Sequence, residues 1–179
     1  MTARELIDQY KITISPTDDS KIRFAVNPKD KAAVEEIKAM KAEIIETIKA
    51  DQKARDDERN RRKANVESIP GLEELKKAIA DWNEWNAAFY ASFDGPEAVG
   101  GMGVGPKPMD PKELMVKDEY AQAVAYLEIK KQAMAANYKL SEIGRKALDR
   151  IEDNPEDWET IYADMNKEIA EFTAEHAWD

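Results

Sequence analysis

Five of the seven glycines and four of the eight prolines in this 179-residue chain fall between residues 94 and 111, DGPEAVGGMGVGPKPMDP. Residues that break regular structure are thus concentrated in one place, and that limits what the chain can fold into. The segment reads as an irregular loop between helices. After residue 26, apolar residues recur almost everywhere at helical spacing, and only residues 12–26 alternate as strands do. The expected fold is therefore α+β and mainly α: a small N-terminal helix–hairpin–helix module followed by a C-terminal helical domain. A loop this long inside a domain is more often functional than idle. It is not a phosphate cradle, because it has no Gly-Lys, Pro106 stands where the last glycine of G-x-G-x-x-G belongs, and no strand precedes it.

Along the first 50 residues, Leu6, Ile7 and Tyr10 share one side of a short helix. Ile12-Thr13-Ile14 and Ile22-Arg23-Phe24, with Val26 beyond, alternate as half-buried strands. Ser15-Pro16-Thr17-Asp18-Asp19-Ser20 supplies the turn between them. Asn27-Pro28 then opens one helix that carries Val34, Ile37, Ile44, Ile45 and Ile48. Residues 51–68 continue it as a charged helical connector that ends in the cluster Arg59, Arg61, Arg62 and Lys63. Such a cluster could touch phosphate. It lacks interleaved aromatics and sits beside Asp56, Asp57 and Glu58, so it reads as a solvated face.

Ile69-Pro70-Gly71 opens an acidic helical domain over 69–179. Leu72, Leu75, Ile79, Trp82, Asn86, Phe89 and Phe93 form one stripe, flanked by Trp85 and Tyr90, that reads as core for a helical hairpin or bundle. Beyond the loop, Tyr120, Val124, Leu127, Met134 and Tyr138 mark another helix, and Ser141 is placed to cap the next. Asn154-Pro155 starts the last helix, whose apolar face is Trp158, Ile161, Tyr162, Met165, Ile169 and Phe172.

Charge is unevenly spread. The chain holds 27 basic and 37 acidic side chains, a net charge of −10, and residues 152–179 hold ten acids against the single base Lys167. Asp157, Asp164, Glu168, Glu171 and Glu175 line up beside the apolar face of the last helix over about five turns. Only Lys167, four residues before Glu171, is placed on that helix to relieve them. An acidic face of this kind fits a basic protein partner and disfavours nucleic acid or an anionic membrane. Its plainer reading is a face that does no more than meet water.

Catalytic and metal chemistry finds little to use. There is no cysteine and one histidine, His176, which lies among the last four residues and reads as terminal packing. Neither an EF-hand loop nor a helical Glu-x-x-His set is present, so no cofactor and no metal are expected. The longest apolar runs, such as 87–91, are five residues, against about 20 needed to cross a bilayer. The expectation is a non-enzymatic binding protein in the cytoplasm of a bacterial host.

Glu5-Leu6-Ile7, Tyr10-Lys11-Ile12, Ile22-Arg23-Phe24 and Lys41-Ala42-Glu43-Ile44-Ile45 resemble the TubC-type docking domain found at the N-terminus of some nonribosomal peptide synthetases. No synthetase follows here, so the resemblance implies only a protein-docking fold over 1–50. The remainder resembles uncharacterised phage and mobile-element proteins of gut Firmicutes. The matching residues are Ile69-Pro70-Gly71-Leu72, Gly101-Met102-Gly103-Val104 with Pro106-Lys107-Pro108, 123–127, Gly144-Arg145-Lys146-Ala147-Leu148 and His176-Ala177-Trp178-Asp179. This second resemblance implies an inhibitor of host defence, with a type II CRISPR effector nuclease as the basic partner. The partner-binding residues would be the five carboxylates above, with Trp82 and Trp85 adding apolar contact. The alternative is a docking or assembly adaptor of the element, acting through the hairpin edge. Direct DNA binding through Arg59–Lys63 is the third reading.

Overall fold

The structure is a computed structural model, and it describes residues 1–25, 31–93 and 104–176. It is mostly helical, with two short antiparallel strands. The chain divides into two units, Met1–Asn60 and Arg61–Asp179.

In the first unit, α1 (Ala3–Tyr10) opens with a reciprocal cap. The Thr2 hydroxyl accepts the Glu5 N–H at 3.3 Å, and the Glu5 carboxylate accepts the Thr2 N–H at 2.8 Å. Lys11 ends the helix in the left-handed region, at φ 49°, and gives its N–H to the Ile7 carbonyl. β1 (Thr13–Ser15) and β2 (Asp18–Arg23) pair antiparallel, with Ile14 opposite Ile22. Asp18-Asp19-Ser20 belongs to β2 instead of the turn, which shrinks to Pro16-Thr17. The Asp18 carboxylate satisfies its neighbours locally, accepting the Ser20 N–H at 3.0 Å and its hydroxyl at 2.6 Å and pairing with Lys21 at 2.8 Å. The Lys21 ammonium, then Ser20, holds that carboxyl down at about 2. Val26 and the Asn27-Pro28 cap lie outside the described residues.

The helix expected to run on through Ile48 is interrupted at Met40, which divides it into α2 (Lys31–Ala39) and α3 (Lys41–Glu67). Hydrogen bonds at helical spacing persist across the interruption: Met40 N–H donates to the Glu36 carbonyl at 3.0 Å, and Ile44 N–H donates to the Met40 carbonyl at 2.9 Å. Ile37 of α2 and Ile44 of α3 are both fully buried in one cluster with Ala3, Leu6 and Ile12. Arg4 donates from both terminal guanidinium nitrogens to the Asp51 carboxylate, and the contact from Nη2 measures 2.8 Å. The charged run 49–65 lies wholly within α3.

In the second unit, residues 61–67 of α3 lead through Ser68–Pro70 to Gly71, at φ +70°. A Cβ there would also fall 2.6 Å from the Tyr120 ring, so glycine is required twice over. Next come α4 (Leu72–Ala91), α5 (Pro111–Met115), α6 (Ala121–Ala133), α7 (Tyr138–Asp153) and α8 (Trp158–Glu175). Asp110 caps α5, so the expected loop gives way to a helix at Pro111. The core joins Leu72, Leu75, Leu114, Tyr126, Ile129, Ile143, Ile151, Ile161 and Met165, and α8 lays its expected apolar face on α6 and α7.

Three expectations for this unit fail. Of the α4 stripe only Leu72 and Leu75 are buried; Ala78 and Ile79 border the core, and the aromatics from Trp82 onward do not join it. The helices that pack on α4, namely α5 and α6, supply core partners to its first turns alone. Met134 and Tyr138 are 78% and 76% exposed, because α6 ends at Ala133 and its buried face is Ala123, Tyr126 and Ile129. Asn137, not Ser141, caps α7, accepting the N–H groups of Lys139 and Leu140 at 3.0 and 3.1 Å. Ser141 is buried inside the helix and donates its hydroxyl to the Ala133 carbonyl at 2.7 Å.

That bond marks a close backbone approach. A Cβ on Gly144 would overlap the Gln132–Ala133 peptide and lie 2.7 Å from the Ala133 Cα. Among the described residues no helix is long and apolar enough to cross a membrane.

Two predictions follow from this packing. Helix propensity alone would have Gly144→Ala stabilise by about 1 kcal/mol. The overlap reverses the sign, and we expect a loss of about 2 kcal/mol in urea unfolding. The second concerns Tyr126: burial, then the Glu152 carboxylate 3.3 Å away, pushes its phenol up to about 12. A raised folded-state value contributes stability that is complete below pH about 10 and is lost as pH rises through 12. The urea midpoint should fall across that window, and less steeply in Tyr126→Phe.

Candidate functional site

α8 follows a 3₁₀ turn over Pro155–Asp157, with proline at its first position as the sequence suggests. Asn154, however, makes no side-chain cap. Asp157 occupies the cap position of α8, and its side chain also makes no capping bond. With Trp158, Ile161, Tyr162, Met165, Ile169 and Phe172 turned to the core, the carboxylates are left beside that face. Asp157, Glu168, Glu171 and Glu175 are exposed and Asp164 is half-buried. No base stands in the last turn to answer the partial negative charge of the helix end beside Glu175.

Relief of the stripe is wider than Lys167 alone. Lys167 does approach Glu171, at 4.0 Å. From α7, Arg150 pairs with Asp164 at 3.0 Å. One turn earlier Lys146 binds Glu142 at 3.0 Å, and the more distant charge of Glu168 adds to what holds its ammonium protonated. Pairs between helices have no signature in sequence spacing. Asp157, Glu168 and Glu175 make no ion pair among the described residues.

Trp82 and Trp85 sit on α4, which packs on α5 and α6, whereas α8 packs on α6 and α7. The two parts of the expected surface are thus carried by helices with different principal partners. The tryptophans begin a ladder of rings. Trp82 and Trp85 are 6.1 Å apart, Trp85 stacks on Phe89 at 4.9 Å, and Phe89 meets Phe93 edge-on at 5.0 Å.

Half of the basic cluster at the end of α3, Arg61 and Arg62, is taken up by α7. Arg62 reaches Asp149 at 2.8 Å and Asp153 at 3.1 Å, and Arg61 reaches Asp153 at 2.8 Å. Asn65 donates its side-chain amide to the Glu152 and Asp153 carbonyls at 2.8 and 3.1 Å. Cations and amide donors there complement the open carbonyls and negative end of α7. Sequence reading missed this clamp because its partners lie some 90 residues apart.

Chemically the surface offers charge and rings. Among the described residues no group of three or more His, Asp or Glu side chains is placed to hold a metal. A cleft of about 190 Å³ beside α4, lined by Glu74, Lys77, Ala78, Asp81, Pro108, Met109 and Leu114, is small for a ligand pocket. His176 lies 2.8 Å from the Phe172 carbonyl oxygen, with its ring 4.3 Å from that of Phe172.

Compared with known proteins, the chain matches no family model, no curated protein and no solved structure.

The clamp can be measured. Arg62→Ala should cost about 1.5 kcal/mol of unfolding free energy, since it removes charge-assisted bonds to two carboxylates. Lys63→Ala should stay within about 0.5 kcal/mol, because its 3.6 Å pair with Glu67 is exposed.

Proposed function

We propose that this chain is a non-enzymatic protein-binding inhibitor whose α8 carboxylates engage a basic surface on its partner. The observation that carries the reading is that, among the described residues, Asp157, Glu168 and Glu175 make no ion pair while the other face of their helix is committed to the core. A like-charged face left open costs about half a kcal/mol for each i,i+4 neighbour, and a partner's cations would relieve it. The resemblance to phage and mobile-element proteins makes the partner a type II CRISPR effector nuclease, whose channels for guide and target are positively charged. The carboxylates would compete there with phosphate, and the role would be counter-defence in a bacterial cytoplasm.

A second reading follows the N-terminal resemblance. Among the described residues the sheet holds β1 and β2, so each has one edge without a sheet partner there, and Asp19, Ser20 and Lys21 of β2 are exposed. In a helix–hairpin–helix docking module that edge would pair with an element-encoded peptide. Removing residues 1–50 separates the two readings, because an adaptor loses its partner and an inhibitor acting through α8 keeps binding.

The direct test reverses Glu168, Glu171 and Glu175 to Lys. Asp164 stays, because a lysine there would face Arg150. Helicity should be unchanged, and binding to the nuclease with and without guide RNA should lose more than about tenfold in association rate. Wild-type affinity should fall as salt rises. Unchanged affinity in the folded variant makes α8 a solvated face, and absence of wild-type binding in every state ends the inhibitor reading.

A further inference from the structure

The ring ladder on α4 is covered at one end by the chain's own proline-bearing segment. The Trp85 indole N–H donates to the Gly105 carbonyl at 2.9 Å. The Lys107 ammonium stands 4.8 Å from the centre of the Trp82 ring. Between and after these contacts come Pro106 and Pro108, and the segment ends where Asp110 caps α5 and Leu114 enters the core. Residues 104–110 form no helix or strand. Farther along, Phe93 and Tyr90 are 51% and 68% exposed.

These features together describe a recognition mode. Alternating prolines hold φ near −65° and favour an extended chain whose carbonyls make no internal hydrogen bonds. Such a chain is read by aromatic faces, with an indole N–H as donor to one carbonyl. The lysine adds a cation on a ring, worth about 0.5–1 kcal/mol when exposed. Acidic residues on this stretch of α4 suit a cation too. Lys76 and Lys77 are paired with Glu73 and Asp81, and beyond them the helix carries Glu84 and no base.

We propose that Trp82 and Trp85 form a binding site for a basic proline-containing peptide, Pro-Lys-Pro in pattern, and that Gly105–Pro108 is its resident occupant in the free protein. The strap is tethered, so it competes at millimolar effective concentration and keeps the site closed to weak ligands. A partner segment with the same chemistry, and more rings to cover toward Phe89 and Phe93, displaces it. The site is separate from the carboxylates of α8 and stands without them.

The test uses the full chain and a capped peptide of sequence VGPKPMD, followed by indole fluorescence and by the Trp85 indole N–H resonance. The double variant Lys107→Ala/Pro108→Ala weakens the resident strap at half-buried or exposed positions. We expect the peptide to shift the Trp85 N–H of this variant and to bind it at least about tenfold more tightly than it binds wild type. Adding Trp85→Phe to the variant should abolish that binding. Equal affinity for wild type and variant, or no binding to a variant whose circular dichroism matches wild type, overturns the proposal. So does a wild-type dimer that the double variant fails to form, since the strap would then cover a second copy.

Discussion

The contact between α6 and α7 at Gly144 is the constraint on which the second unit rests. The Gln132–Ala133 peptide occupies the volume a side chain on residue 144 would need, and the Ser141 hydroxyl on the same face reaches the Ala133 carbonyl. Small residues, Ala123 and Ala147, are buried in the same core. With the two backbones this near, Ile129, Ile143 and Ile151 close a surface on which Ile161 and Met165 of α8 can lie. The Arg61–Arg62–Asn65 clamp then ties the end of α3 to the end of α7.

Charge follows from that packing. α7 carries Asp149 and Asp153, which meet the arginines of α3, and Arg150, which meets Asp164 of α8. One helix therefore neutralises a basic cluster and part of an acidic stripe. Two of the four bases at the end of α3, Arg61 and Arg62, are partners of α7, which weakens the reading that the cluster touches DNA. Of the five stripe carboxylates, Asp157, Glu168 and Glu175 make no ion pair among the described residues. What makes α8 a candidate surface is this remainder.

α4 shows a different division. Its aromatic stripe is regular in sequence, yet the core ends near Ile79, and the rings beyond it pack on one another while Trp85 and Trp82 meet Gly105 and Lys107 of the strap. Rings that cover each other bury apolar area without a partner helix. Periodicity reports which residues share a face and says nothing about whether a neighbour reaches it.

The sequence by itself determined the helical character, the apolar face of α8, the break at Ile69–Gly71 and the alternation behind β1 and β2. Each of these depends on residues within one or two turns of each other, or on the restricted backbone freedom of proline and glycine. Tertiary structure decided the partners of Arg61, Arg62 and Asp164, and how far along α4 the core extends. Those depend on groups brought together from distant parts of the chain. Their positions are set by how closely α6 and α7 approach and by which helix is left to cover the next, and local spacing does not encode either.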